Sequence, residues 1–191
     1  GATLTAKYSS ETHEGTATTA ARQVYQQSIS VADIYLKDRE YDGSTVVRTA
    51  DIDTSRMAIG GKLAGDDVSV IVTKGMYFEK DVGSCNAELT LELDGTAKDN
   101  YYLPVPTYTV ENAQITPRGV TIGGAAVQPS KIYDGTTNAA ITSTSTDYTV
   151  VGAVIGDKVS VDATSPKASY ESKDVDTNKT VTFSGFSLTG D

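Results

Sequence analysis

Carboxylates are plentiful in this chain and could do chemistry, and several recur. Asp42 and Asp134, Asp66 and Asp157, and Asp81 and Asp174 stand at equivalent places in two similar stretches. Paired carboxylates can act as acid and base on a glycosidic bond. Several of them with carbonyl oxygens can also hold a hard cation such as Ca²⁺, to which Asp66–Asp67 or Asp51 and Asp53 would contribute. No twelve-residue calcium-loop spacing is present, however, and an active site is seldom duplicated so evenly along one chain. The expected role is a turn, in which the carboxylate accepts backbone N–H groups and the following Gly43 or Gly135 takes positive φ. Tyr41, Asp42, Gly43 and Tyr133, Asp134, Gly135 are therefore read as structural turn motifs. No metal or cofactor is expected.

The remaining reactive side chains are few. His13 is the single histidine and has no copy elsewhere, which argues against a Ser-His-Asp triad or a histidine metal site. Cys85, the single cysteine, shares its parity with Ala87, Leu89 and Leu91 and is expected to point inward as a small hydrophobe. Lys37, Lys80, Lys131 and Lys173 are conceivable donors for an isopeptide cross-link, but no motif for one accompanies them. The tyrosines are more informative. There are 11 of them, with 3 phenylalanines and no tryptophan, and Tyr101, Tyr102 and Tyr108 cluster around Pro104 and Pro106. Along an extended strand Tyr101 and Tyr102 face opposite sides, so one can fill a core while the other offers a ring to a sugar. Those three are the candidate ligand-binding residues. No residue is assigned a catalytic role, and the chain is expected not to be an enzyme.

Charge and hydropathy narrow the partners. With 25 acidic against 16 basic residues the net charge is −9, which repels phosphate backbones and excludes nucleic acid as the expected partner. No apolar run approaches the ~20 residues needed to cross a bilayer as a helix, and no basic-then-apolar secretion signal opens the sequence. Membrane insertion is not expected.

The elements that must position these residues are organised by a repeat. Arg39-Glu-Tyr-Asp-Gly-Ser-Thr45 matches Lys131-Ile-Tyr-Asp-Gly-Thr-Thr137, Gly65–Val70 matches Gly156–Val161, and Tyr77 with Lys80–Val82 matches Tyr170 with Lys173–Val175. The spacings, from 41 to 133, 65 to 156 and 77 to 170, hold near 92. That is too long for a solenoid repeat of ~20 to 50 residues, so each copy is a domain. Apolar residues alternate at Val68/Val70/Val72, Leu89/Leu91/Leu93, Val159/Val161 and Val181/Phe183, the period of half-buried strands. The strand at Ala87/Leu89/Leu91 is aligned with Lys179/Val181/Phe183. The fold expected is all-β, two tandem Ig-like β-sandwich modules, with β-grasp-like or small barrel modules as the alternative if a helix lies between Ile52 and Leu63. Residues 1–27 are read as a leader, a linker or the end of a preceding module, with 28–118 the first module and 119–191 the second. Nothing in the second matches Asn100–Leu103 or Tyr108–Val110. Either residues 1–30 supply that final strand or the second module has an exposed edge.

Lys-Ile-Tyr-Asp-Gly-Thr-Thr, followed by Gly-Asp-Lys-Val-Ser-Val and Lys-Asp-Val, resembles the YDG repeat family of bacterial exported proteins. The resemblance covers both copies, and Asn100-Tyr-Tyr-Leu103 and Ile115-Thr-Pro117 look like the family's closing strand and junction. It implies long, multi-domain secreted or surface proteins in which such modules are spacers or adhesive segments, with no catalytic residue to carry over. The implied partners are other domains of the same parent chain, and a glycan or a cell-surface protein. The implied location is extracellular, and the alternative function is a carbohydrate-binding module.

Overall fold

The computed structural model describes residues 5–9, 14–18 and 23–190, with side chains from residue 23 onward. The chain is all-β, and its helical content among the described residues is two short 3-10 turns, Thr49–Asp51 and Lys98–Asn100. The stretch between Ile52 and Leu63 forms strands Ile52–Asp53 and Ala58–Gly60, so the helix that a β-grasp arrangement would need there is not formed. Two compact units result, one from Gly1–Asp38, Thr45–Glu79 and Ser84–Gln114, the other from Arg39–Ser44, Lys80–Gly83 and Ile115–Asp191.

In the first unit the long strands Ser69–Tyr77, Gly83–Asp94 and Thr107–Thr116 lie side by side in that order. Alternation puts Val68, Val70, Ala87, Leu89, Leu91 and Val110 on the buried face. Two irregularities interrupt it. A register shift between Thr90 and Leu91 leaves Thr73 without a partner, and the inward parity passes from Val72 to Gly75 and Tyr77. In the last strand Asn112 takes a left-handed φ of 57°, and parity passes from Val110 to Ala113 and Ile115. Shorter pairs complete the unit: Ser30–Ala32 with Ala58–Gly60, Tyr35–Leu36 with Ile52–Asp53, and Gln27–Ser28 in parallel with Tyr101–Tyr102. Residues 27–32 therefore pair within this unit, and the strand Thr5–Ser9 pairs with Glu14–Thr18. Among the described residues, neither supplies a strand to the second copy.

The second unit repeats the pattern in miniature. Thr121–Gly123 pairs with Thr149–Val151, Lys167–Tyr170 with Val181–Ser184, and Val159–Asp162 with the exposed strand Ser187–Gly190. Tyr148 and Phe186 meet edge to face at 5.0 Å.

Backbone bonds fix which residues of the two copies correspond. Val47 N–H donates to Gly75 O at 2.9 Å, and Ala139 N–H to Ala168 O at 2.9 Å. Tyr77 N–H donates to Thr45 O at 2.7 Å, and Tyr170 N–H to Thr137 O at 2.8 Å. In the following hairpin Tyr77 faces Ala87 while Tyr170 faces Val181. Ala87 thus corresponds to Val181 and Leu89 to Phe183, two residues from the alignment that the repeat spacing suggests. One residue of the difference is already present between Tyr77 and Tyr170 and the other lies in a longer loop in the second copy; because two is the strand period the apolar faces still match.

This correspondence exposes a packing trade. A Cβ at Gly75 would meet Leu89 Cδ2 and Val47 Cβ, each at 2.7 Å. The second copy has Ala168 at that place and Ala139 opposite in place of Val47, so a larger residue on one strand is matched by a smaller one on its neighbour. Gly75→Ala alone should therefore destabilise the first unit by about 1–3 kcal/mol through overpacking. Val47→Ala/Gly75→Ala should recover part of that loss in urea unfolding. A double variant worse than the sum of the two singles would contradict the trade.

Candidate functional site

The two Tyr-Asp-Gly turns are built alike. Asp42 Oδ1 accepts the Ser44 N–H at 3.0 Å, and Asp134 Oδ1 accepts the Thr136 N–H at 2.9 Å, which closes the turn around a glycine at φ 75° in one case and 77° in the other. Only glycine takes such a φ without strain, because a Cβ there crowds the following carbonyl. Each turn also holds a cation two residues before its tyrosine. Arg39, 1% exposed, reaches Asp42 Oδ1 at 3.5 Å and donates to Ser44 O at 2.6 Å. Lys131 reaches Asp134 Oδ1 at 2.8 Å and donates to Thr136 O at 3.1 Å, Thr136 Oγ1 at 2.9 Å and Asn138 O at 2.9 Å. These oxygens belong to the turn that Lys131 itself flanks. They supply no cross-strand partner of the kind an isopeptide bond needs.

The electrostatics follow the geometry. The Lys131 ammonium, then the Thr136 backbone N–H, hold the Asp134 carboxyl down to about 2 from its ordinary 3.8. The Thr96 backbone N–H and hydroxyl lower Asp67, and the Thr144 N–H and hydroxyl lower Asp147. Asp53 is lowered by the Ser55 hydroxyl and then by the Ser55 N–H that it accepts. These shifts favour the ionised, hydrogen-bond-accepting form, the opposite of what a general acid requires.

The other recurring aspartates take different partners. Asp66 Oδ2 accepts the Tyr101 hydroxyl at 2.5 Å, and that same hydroxyl accepts the Leu63 N–H at 3.1 Å. The bond to Asp66, followed by burial, raises the Tyr101 phenol. Asp157 Oδ1 accepts the Tyr41 hydroxyl at 3.0 Å, which with burial raises that phenol too. Asp81 lies exposed beside Lys80 at 3.0 Å. Asp66 and Asp157 do stand in turns, but their carboxylates hold tyrosine hydroxyls where the sequence suggests backbone N–H groups, and Asp81 forms a surface ion pair.

Tyr101, Tyr102 and Tyr108 are not gathered into one strip. Tyr101 is 2% exposed and committed to Asp66, Tyr102 is 45% exposed, and Tyr108 is half-buried in the next strand. Cys85 is half-buried, with its sulfur 3.9 Å from Glu79 O. Among the described residues, no three His, Cys, Asp or Glu side chains stand close enough to hold a metal ion. His13 lies outside the described residues.

The family model of the YDG domain matches residues 25–110 and again 116–191. The chain belongs to the YDG domain family. No curated protein and no solved structure matches it. Both matched stretches contain a Tyr-Asp-Gly turn, and here it is a unit of cation, carboxylate and glycine. Sequence reasoning missed Arg39 and Lys131 as its members. The signal was present, because a basic residue stands three before the aspartate in both copies, but Arg in one and Lys in the other hid the shared role.

Because the Asp134 carboxyl is depressed only in the folded chain, its contribution to stability is complete above pH ~3.8. It is lost as the pH falls towards 2. A ¹³C NMR titration should find this carboxyl at about 2 in the wild type and moved up towards the ordinary range in Lys131→Met. An ordinary value in both proteins would contradict the assigned ion pair.

Proposed function

We propose that the chain is a pair of Ig-like β-sandwich modules serving as spacer or interaction segments of an exported bacterial surface protein, without catalytic activity. The observation that carries this reading is where the recurring polar side chains are directed. Asp42, Asp134, Arg39, Lys131 and Asp66 all bond to the backbone or tyrosine of their own module, so the motif residues hold the fold and leave no reacting pair aimed at a ligand. Membership of the YDG domain family supports a modular role. The net charge of −9 favours a soluble, non-aggregating segment.

Carbohydrate binding is the second reading, and one observation favours it. Tyr102 is 45% exposed and Val105 63%, on a proline-flanked connection that offers a ring and an apolar neighbour to solvent. Retention on a glycan microarray and on isolated cell walls distinguishes the two. The spacer reading expects no selective retention, with or without Ca²⁺. Selective binding that Tyr102→Ala reduces about tenfold or more would replace it with carbohydrate recognition.

A further inference from the structure

We propose that the open groove around Tyr133, Asp134 and Gly135 is a docking site for the Leu63–Asp66 turn of a second copy of this chain. The two YDG turns share their hydrogen bonds, cation and glycine φ, but differ in what covers them. In the second unit the turn Val154–Asp157, closed by Asp157 N–H to Val154 O at 3.1 Å, lies over Tyr41–Gly43. Its carboxylate takes the Tyr41 hydroxyl at 3.0 Å, and its valine sits where Gly43 has no side chain, since a Cβ there would meet Val154 Cγ1 at 2.9 Å.

At the second YDG turn that place is open. A Cβ on Gly135 would meet nothing within 4 Å, and Tyr133 is 57% exposed. A groove of about 540 Å³ runs beside it, lined by Lys131, Tyr133, Asp134, Lys173 and Val175 among others. Val175, 86% exposed, adds apolar surface. Lys173, the counterpart of Lys80 in the repeat, lines this groove.

The chain carries a second turn of the covering kind. Leu63-Ala-Gly-Asp66 corresponds to Val154-Ile-Gly-Asp157, and Asp66 N–H closes it onto Leu63 O at 3.3 Å, with Gly65 at φ 92° against 101° for Gly156. Leu63 is 60% exposed, as the covering residue must be. Asp66 accepts Tyr101 on Oδ2, and a carboxylate has about four lone-pair sites, so Oδ1 can take the Tyr133 hydroxyl as well. Groove and turn lie at different places on one chain, so the contact is heterologous and either closes into a ring or propagates head to tail. It goes beyond the spacer reading, which requires no contact between chains.

Sedimentation of the full chain over a wide concentration range tests this. The wild type should associate reversibly, and Tyr133→Ala and Leu63→Lys should each weaken association about tenfold or more while keeping the wild-type circular dichroism. Mixed together, the two variants should form a 1:1 complex that grows no further, because only one intact groove and one intact turn can meet. A wild type that stays monomeric to millimolar concentration, variants that associate like the wild type, or a mixture that fails to form the 1:1 complex would each overturn the proposal.

Discussion

Short strands create a problem of backbone satisfaction that the rest of this structure must solve. A two- to four-residue strand makes few ladder bonds, and the N–H groups of the connections between such strands must find other acceptors. Aspartate supplies them here by one repeated geometry. Asp42, Asp53, Asp134 and Asp162 each accept the N–H two residues on, from Ser44, Ser55, Thr136 and Thr164. The acidity of the chain is thus tied to its architecture, because the turns that join so many small strands are built from ionised carboxylates.

The YDG turn is the most developed form of this device. Its cation neutralises the aspartate and ties down the carbonyl beyond the glycine, so both ends of the turn are bonded. In the first copy the cation is a buried arginine, whose planar group spans the carboxylate and the Ser44 carbonyl; in the second a lysine gathers its oxygens around one point. The cores differ in a parallel way. Buried residues of the first unit include Leu89, Leu91, Tyr77 and Ile34, whereas among the described residues of the repeat's second copy the most buried apolar ones are Ala139 and Ala168, at 9% and 8% exposure.

Much of this was legible in the sequence, for physical reasons. The all-β class shows in the period-two alternation. The turns show in Asp-Gly, because few residue pairs combine a local acceptor with tolerance of positive φ. The opposite facing of Tyr101 and Tyr102 follows from strand geometry alone. Other features were not legible. The bulge at Thr73 and the left-handed Asn112 shift the inward parity mid-strand, and nothing in the local composition marks them. The trade of Val47 and Gly75 for Ala139 and Ala168 becomes visible only once backbone bonds pair the strands. The partners of Asp66 and Asp157 are tyrosines distant in sequence, so the turn chemistry that explains Asp134 misassigns them.

The central claim is that the YDG aspartate acts as a hydrogen-bond acceptor for its own turn. Urea unfolding of Asp134→Ala beside Asp134→Asn tests this most directly, since asparagine keeps the acceptor oxygen and alanine removes it. The account predicts that alanine lowers the unfolding midpoint of the second unit and that asparagine, which loses the ion pair to Lys131 but keeps the acceptor oxygen, lowers it less. Equal midpoints for the wild type and Asp134→Ala would contradict it.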